Sequence, residues 1–447
     1  MMKCNCFKWI GRIMHCLFLI PVILASSLVV AQETGGAILL HAARVFDGDR
    51  MRTDTSVLLV NGKVGQIGPR ESFRSGNAKI IDLGDATLLP GFIELHAHLS
   101  FQKVPADTVL RHGITTIRDV GGPLHKPRGG DGSLRVLTSG PILTAPGGYP
   151  IPMLANDANI VVAISTEKEA RATVRDLVNG GAVVIKIALE PGGEAGAPWS
   201  SGHDHGHSHG SGYGHGHGSG QGQGDHHHAQ PVASHGHTHH KSAHGASPSK
   251  QAWPLLPENI VKAIVDEAHR NNRKVTAHIA EVRGAQIAVN AGVDEWAHMP
   301  CDVIPEPLLK KAAAQNVKIV GTLDTLSKCA GVARNASTWT ALGGELLYGA
   351  EIAHPDIPWG IDAQELMYMM KMGKIGSIDV LRAATSKAGR QLDLPLLGTL
   401  QQGAPADIIA VRGDPSRGLK ILEHPDLVIS GGKIVVNNFK DRSPVSP

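Results

Sequence analysis

The chain has 447 residues, of which 42% are hydrophobic and 19% charged, which excludes wholesale disorder and predicts one large domain with an accessory one. Its formal charge of +3 equals the contribution of Lys3, Lys8 and Arg12 near the start, so the rest of the chain is neutral and offers no basic surface for nucleic acid. Histidine is unusually frequent, with 25 residues, of which 14 lie between His203 and His244.

Residues 1–31 are predicted to be an export signal that is cleaved after Val29-Val30-Ala31. A basic start precedes an apolar run over residues 16–24, and small residues close the run. The alternative is a retained membrane anchor, because the apolar stretch approaches bilayer-spanning length, but Pro21 weakens a spanning helix. We expect a periplasmic or secreted mature protein without a further membrane span.

Cys301 and Cys329 are the only cysteines beyond the predicted export signal. In an oxidising compartment they can form a disulfide, which would contribute about 2–4 kcal/mol of stability. The alternative is two separate buried thiols that pack as small apolar residues. The sequence leaves both open.

Both ends of the chain, residues 32–88 and 395–447, are rich in predicted strands. Short apolar runs alternate there with Asp-Gly, Asn-Gly and Gly-Gly turns. The runs are 37–46, 56–60, 78–82, 406–411, 426–430 and 433–436. They predict one small β-sandwich assembled from both chain ends.

The middle of the chain, residues 89–394, alternates predicted strands and helices. Helical spacing of apolar residues predicts helices over 257–269, 307–315 and 377–392, the last with Ser377 as its N-cap. Eight short strands are predicted, at 92–99, 115–120, 134–138, 183–188, 274–279, 294–298, 317–322 and 345–351. This α/β pattern favours a (β/α)8 TIM-like barrel of parallel strands.

Residues 201–246 interrupt this pattern with a segment of mainly Gly, His, Ser and Gln. Such a composition cannot bury a core and predicts a disordered insertion after the fourth strand. In barrels of this type that connection lies on the face that carries active sites. The imidazoles either gather metal ions near the site or form a flexible polar insertion without a specific role.

A His-x-His motif, His96 and His98, is the strongest chemical signal in the sequence. Residues i and i+2 of a strand point to the same side, so the two imidazoles can share one divalent ion. Such pairs on exposed strands often bind nothing. The apolar strand around this pair favours the metal-binding interpretation.

Lys186, His278 and His298 lie on three later predicted strands. A lysine in an apolar strand is costly unless it is paired, neutralised or modified, and the alternative is a side chain that reaches the strand end. Each histidine alone is more often a core residue than a ligand. Together with the His-x-His pair, however, they form a donor set suited to zinc or manganese.

Further motifs accompany these residues: Pro90-Gly91, residues 112–122, Glu267-Ala268-His269, residues 381–390, Gly398-Thr399-Leu400 and residues 403–407. With the histidines they resemble the metal-dependent amidohydrolase superfamily, in particular the branch similar to imidazolonepropionase and Xaa-Pro dipeptidase. The resemblance covers essentially the whole mature chain. It implies a barrel with a sandwich from both chain ends, and two divalent ions, usually zinc. The implied ligands are His96, His98, Lys186 as its carbamate, His278 and His298.

One departure from the family concerns the end of the eighth strand. The family normally has Gly-Thr-Asp there, with the aspartate contacting metal and moving the proton, but this chain has Gly349-Ala350-Glu351. We assign the role to Glu351, although a displacement of ~1 Å can cost about 100-fold in rate. Asp356 and Asp362 are alternatives. A lesser departure is Glu94, where an aspartate often precedes the His-x-His motif.

The resemblance implies an exported hydrolase that cleaves a C–N bond in a small amide, a dipeptide or a cyclic imide. A metal-bridging hydroxide would attack the carbonyl carbon, with Glu351 as general base and then acid. Arg118, Tyr149 and Arg283 are candidate substrate contacts by position. Arg118 could hold a substrate carboxylate, or it could form an ion pair with Asp119 or another acid.

Two other functions are kept as alternatives. A metal-binding protein or weakly active pseudoenzyme is suggested by Glu351 and the histidine-rich insertion. A mononuclear deaminase-like enzyme would not need Lys186.

Overall fold

The structure is a computed structural model that describes residues 36–74, 76–154, 159–194, 196–198 and 252–439. The predicted export signal, residues 1–31, and the predicted insertion, residues 201–246, lie outside the described residues. Within the described ranges, no helix has both the length and the apolar character needed to cross a membrane.

The described strands fall into three consecutive groups, in the first part, the middle and the last part of the chain, as the sequence predicts. They are β1 (Ile38–Phe46), β2 (Met51–Val60), β3 (Lys63–Pro69), β4 (Lys79–Asp82), β5 (Ala86–Pro90), β6 (Phe92–Ala97), β7 (Ile114–Asp119), β8 (Arg135–Thr138), β9 (Ile142–Thr144), β10 (Val161–Ala163), β11 (Val184–Leu189), β12 (Lys274–Ile279), β13 (Glu295–Trp296), β14 (Lys318–Val320), β15 (Glu345–Leu347), β16 (Ile408–Arg412), β17 (Leu427–Ser430) and β18 (Lys433–Asn437).

Helices separate most of the strands in the middle of the chain. They are α1 (Ala106–Arg111), α2 (Ile151–Leu154), α3 (Glu167–Gly180), α4 (Glu258–Arg270), α5 (Val282–Ala291), α6 (Glu306–Ala314), α7 (Val332–Ala341), α8 (Ala363–Gly373), α9 (Ser377–Ala383) and α10 (Ser386–Gln391). Short 3-10 helices cover Arg70–Ser72 and Leu419–Glu423.

Both chain ends contribute to one eight-stranded sheet with the order β18-β17-β16-β5-β1-β2-β3, and β4 pairs with β1. The antiparallel pairing of β5 with β16 joins the two ends, with Leu88 opposite Ala410. The sheet buries its own apolar cluster, which includes Leu40, Val57 and Ile408. The arrangement of these strands as a sandwich stays a prediction.

The eight strands predicted in the middle of the chain are all present, together with β9 and β10, which the sequence analysis missed. They form two parallel sheets with the orders β6-β7-β8 and β10-β9-β11-β12-β13-β14-β15. All six residues of β11 are buried, as expected for a strand covered on both faces. The α/β class with parallel strands is confirmed.

The predicted helix over residues 377–392 is wrong as a single helix. The chain forms α9 and α10 instead, because the carbonyl of Ala384 accepts a hydrogen bond at 2.9 Å from the backbone amide of Ile93 on β6. This tertiary contact takes the carbonyl away from helical bonding. The predicted N-cap is also wrong: Ser377 is the first helical residue, and Gly376 precedes it.

A disulfide joins Cys301, in the loop after β13, to Cys329, in the loop after β14. Both residues are buried. Of the two alternatives that the sequence leaves open, the structure shows the cross-link.

Candidate metal centre

The carboxyl ends of the parallel strands bring the four predicted histidine ligands together. His96 on β6 and His98 just beyond it place their Nε2 atoms 3.1 Å apart. The ring of His298 lies 4.4 Å from that of His96 and 4.5 Å from that of His278, measured between centroids. Histidines from three different strands therefore meet in one place.

All four histidines are buried, and this controls their protonation. Burial is the main cause that lowers the pKa of each ring well below its usual value, and the positive charge of Lys186 lowers it further. The imidazoles are therefore neutral at neutral pH. A neutral imidazole has the free lone pair that a divalent metal requires.

Lys186 is 1% exposed and lies in the middle of β11. None of the described residues accepts a hydrogen bond from its Nζ atom. Burial lowers the pKa of this amine, while the negative charge of Glu351 opposes the shift. An amine in this environment loses its proton more readily than an exposed lysine does.

Glu351 places its carboxylate beside His96 and His298. One possible ligand atom from each of His96, His298 and Glu351 lies within 4.8 Å of the others. Burial raises the pKa of Glu351, and the charge of Lys186 opposes this. The backbone of Glu351 has φ +68°, a left-handed conformation that is uncommon outside glycine and typical of functional sites.

The two alternative acids take other positions. Asp356 is exposed, and Asp362 accepts a hydrogen bond at 2.9 Å from the backbone amide of Gln364 at the start of α8. The geometry therefore favours Glu351 over both.

Two further residues hold the backbone and one imidazole of the centre in place. The sequence analysis did not assign this role to either of them. The carboxylate of Glu94 accepts hydrogen bonds from the backbone amides of His96 at 2.6 Å and Ala350 at 3.0 Å, which ties β6 to the segment before Glu351. Thr322, after β14, lies with its Oγ1 atom 2.9 Å from Nδ1 of His298. Contacts of this kind orient metal-binding imidazoles.

Glu190, one residue beyond β11, was also missed. Its Oε2 atom lies 3.2 Å from Nε2 of His278, and its Oε1 atom accepts a hydrogen bond at 2.6 Å from the backbone amide of Gly192. Burial raises the pKa of this carboxyl to about 7. The available signal was its spacing of four residues from Lys186, because alternate positions along a strand share one side.

The three candidate substrate contacts differ in their surroundings. Arg118 is buried and forms an ion pair with Glu295 at 2.5 Å, and its Nε atom donates to the carbonyl of Leu95. This favours the ion-pair alternative, with Glu295 rather than Asp119 as the acid. Arg283 is exposed on α5. Tyr149, by contrast, contacts the centre, with its ring 4.6 Å from that of His278.

Aromatic side chains border the histidines on two sides. Phe101 stacks on His98 with ring centroids 4.3 Å apart and an interplanar angle of 11°. Trp253 stacks on Tyr149 at 5.7 Å and 27°. All three aromatic residues are only partly buried, so part of each surface remains open to a ligand.

The donor set fits divalent metal ions. Two nitrogens bound to one zinc ion at about 2.0–2.1 Å lie roughly 3–3.4 Å apart, which agrees with the 3.1 Å between the Nε2 atoms of His96 and His98. The unpartnered Lys186 amine, whose charge lowers the pKa of both rings, supplies a further position for a donor. The chemistry of this set, imidazole with carboxylate, is that of zinc and manganese sites.

Comparisons with known proteins confirm the resemblance predicted from the motifs. Residues 249–435 match the amidohydrolase family. Ochratoxinase from Aspergillus niger is 28% identical over 197 residues, which cover 40% of this chain and 41% of that protein. The match thus spans about two fifths of the curated relative.

Solved structures show the same fold over most of the chain. The crystal structure of A. niger ochratoxinase has a TM-score of 0.67 at 17% identity, and the match covers 91% of this chain and 96% of that one. A Xaa-Pro dipeptidase with methionine bound in its active site has a TM-score of 0.65 at 19% identity, covering 89% and 99%.

Proposed function

We propose, from the match of residues 249–435 to the amidohydrolase family, that this protein is a metal-dependent hydrolase that cleaves the C–N bond of a small amide or dipeptide. One observation carries the proposal: four buried histidines and the carboxylate of Glu351 meet at the carboxyl ends of the parallel strands, and the buried amine of Lys186 on β11 is close enough to lower the pKa of all four rings. Active sites of α/β barrels lie at this end.

The proposal includes a closed (β/α)8 barrel flanked by a sandwich. Hydrogen bonds between the two parallel sheets support closure: Val183 donates to Thr138, and His98 donates to Ile352, both at 2.9 Å. The domains would be residues 32–88, 89–394 and 395–447. Export of the protein is supported by the Cys301–Cys329 disulfide, because such bonds persist in oxidising compartments.

His96, His98, His278, His298 and Lys186 as its carbamate would hold two divalent ions, which we propose to be zinc. When bound, such a pair lowers the pKa of a water molecule and polarises the substrate carbonyl. Burial keeps the Lys186 amine neutral part of the time, which addition of carbon dioxide requires.

Glu351 would move the proton. Its raised pKa suits a group that accepts a proton and then passes it to the leaving nitrogen near neutral pH. Glu94 fixes the backbone on both sides of the centre, since it holds the amides of His96 and Ala350. His96 is oriented by its Nδ1 atom, which lies 2.8 Å from the carbonyl of Ala297 and leaves Nε2 facing the centre.

The aromatic border would select the substrate. Tyr149 and Trp253 stack on one another beside His278, and Phe101 covers His98. Flat apolar surfaces so close to the reacting position favour substrates with an aromatic or bulky apolar group next to the scissile bond. Arg283 on the exposed side of α5 stays a candidate contact for a substrate carboxylate.

The experiment is an assay of hydrolysis with zinc added. Amine release is measured for N-acyl amino acids, Xaa-Pro dipeptides and ochratoxin, and formation of the ring-opened carboxylate is measured for cyclic imides. We expect Glu351→Gln to lower kcat by about 10²–10⁴-fold, the usual contribution of general acid–base catalysis. Glu345→Gln, at the start of β15, the strand that precedes Glu351, is the matched control and should retain activity. Equal activity of wild type and Glu351→Gln, or no hydrolysis of any substrate class, would contradict the proposal.

A further inference from the structure

We propose that Glu190 is a metal ligand in this chain and that it forms, with His278, the second of two donor pairs at the centre. The inference rests on the proposed metal-dependent function. It assigns a direct ligand role to a residue outside the ligand set that the sequence motifs imply.

The strand places Glu190 on the correct side. Along β11 the side chains of Lys186 and Ala188 share one face, and Glu190 continues that face one residue beyond the strand. Ala188 is paired in register with His278 on the neighbouring β12. Glu190 therefore lies beside His278 as a consequence of strand pairing and not of a loose loop.

Distances in the two donor pairs are alike. The Nε2 atoms of His96 and His98 are 3.1 Å apart, and Oε2 of Glu190 is 3.2 Å from Nε2 of His278. Zinc binds imidazole nitrogen at about 2.0–2.1 Å and carboxylate oxygen at about 2.0–2.2 Å, so two ligands of one ion lie roughly 3–3.4 Å apart. Each pair can thus accept one ion without a change of backbone.

The burial of the Glu190 carboxylate also favours binding of a cation beside it. Its side chain is fully buried, its carboxyl shares a side-chain hydrogen bond with a second acid, Glu194, and among the described residues it has no lysine or arginine within ion-pair distance. Glu295 shows the usual solution in this molecule, because its equally buried carboxylate is paired with Arg118. A buried carboxylate without such a partner is costly, and a divalent ion at His278 would remove that cost.

A positioning role is the competing explanation. In that case Oε2 of Glu190 would accept a hydrogen bond from Nε2–H of His278 and hold the ring, and the ion would bind elsewhere. The two roles differ in one observable, the distance between Glu190 and the metal ion.

The test is a crystal structure of the full-length protein grown with zinc, with ions located by anomalous scattering at the zinc edge. We expect one ion at His96 and His98, and a second within about 2.3 Å of both Nε2 of His278 and Oε2 of Glu190. An ion at the first pair with Glu190 more than about 3 Å from any ion overturns this inference and leaves the proposed function intact. No ion at either pair overturns both.

A solution measurement keeps the inference testable by a second route. Zinc retention against a chelator is compared between wild type, Glu190→Gln and the control Glu281→Gln, all with the same histidine-rich insertion as background. Glu281 is a nearby acid whose carboxylate accepts from the backbone amides of Arg283 and Gly284. We expect Glu190→Gln to lose about one tightly bound zinc per chain or at least about 100-fold in affinity. Retention equal to that of Glu281→Gln overturns the inference.

Discussion

The two ends of the parallel strands differ in whether their charged side chains have ion-pair partners. At the amino ends, charged residues stand at the first position of a strand and are paired: Lys274 with Asp393 at 2.6 Å, Lys318 with Glu345 at 2.9 Å. Arg135, which begins β8, pairs with Asp407 at 3.0 Å. The protein itself supplies the partner in each case.

Toward the carboxyl ends Lys186 and Glu351 lack such partners, whereas Arg118 on β7 is paired with Glu295. Lys186 has a buried amine without a hydrogen bond, and Glu351 has a buried oxygen without one. The backbone is left-handed at Thr322, Glu351 and Ala353, all close to the centre. Left-handed residues also precede β12 and β14 at the amino ends, at Asn272 and Asn316, so backbone conformation does not separate the two ends. Unpaired buried charge does, and because it is destabilising it indicates a site that a ligand completes.

Cavity size alone does not identify which end of the parallel strands carries the functional site. A cavity of about 930 Å³ opens at the amino ends and is lined by Arg128, Arg135, Arg273 and Lys274, among others. Arg135 and Lys274 are already paired with aspartates there. The pairing of charges is therefore the better guide to function in this molecule.

Among the variants that test this comparison, the largest expected effect comes from removal of the unpaired lysine. Lys186→Ala should lower hydrolysis by more than about 100-fold and reduce metal retention, because it deletes a proposed ligand rather than a residue behind one. Lys274→Ala, at the opposite end of the neighbouring strand, is the control and should keep full activity. Similar losses in both variants, measured as kcat/KM, would break the comparison between the two ends.

The disulfide stabilises the loops at the carboxyl ends. Replacement of both Cys301 and Cys329 by serine should lower the free energy of unfolding by about 2–4 kcal/mol, as is typical for a cross-link of this loop size. Urea unfolding of wild type under reducing conditions should reproduce the loss. An unchanged midpoint in both experiments would contradict this assignment.

Asp119, at the carboxyl end of β7, should make the stability of the protein depend on pH. Burial raises the pKa of its carboxyl to about 7, so the folded protein holds a proton that the unfolded chain releases near its ordinary value of 3.8. The free energy of unfolding therefore falls as pH rises from about 4 to 7, because the folded protein keeps the Asp119 proton that the unfolded chain has lost. The decrease is at most about 1.4 kcal/mol per pH unit.

Asp119→Asn resembles the protonated form and lacks this dependence. Its stability relative to wild type should increase between about pH 4 and pH 7, as measured by thermal unfolding across the range. A constant difference between the two proteins would show that the carboxyl does not titrate in this window.

The smallest expected effect lies at the amino ends. The Lys274–Asp393 pair is partly exposed, with side-chain exposures of 30% and 67%, so Lys274→Ala should cost at most about 1 kcal/mol of stability. Added salt should reduce the difference between wild type and variant. A loss of several kcal/mol would contradict the assignment of Lys274 and Asp393 as a partly exposed pair with a small effect on stability.

The sequence predicted the strands of the middle region well, because each is a short apolar run between helical segments. It also placed His96 and His98 on one side of one strand, since a spacing of two residues requires this. Lys186 was recognisable because a charge in an apolar strand is costly. These conclusions depend only on neighbours in the chain.

The features that were missed depend on residues distant in the chain. The partner of Arg118 is Glu295, 177 positions away, and the break between α9 and α10 follows from a hydrogen bond donated by Ile93. Glu190 belongs to a loop by its sequence, and only the pairing of β11 with β12 brings it to His278. Local patterns do not identify these partners, although the spacing of Glu190 from Lys186 indicates the side of the strand on which Glu190 lies.

The most direct test of the central claim, two close metal ions at the carboxyl ends, is electron paramagnetic resonance of the full-length protein loaded with manganese. Ions in two-metal sites lie about 3.5–4 Å apart and give exchange-coupled spectra, unlike ions scattered along a histidine-rich segment. We expect a coupled signal in wild type that is lost in His96→Ala. A spectrum of isolated ions alone in wild type would contradict the account.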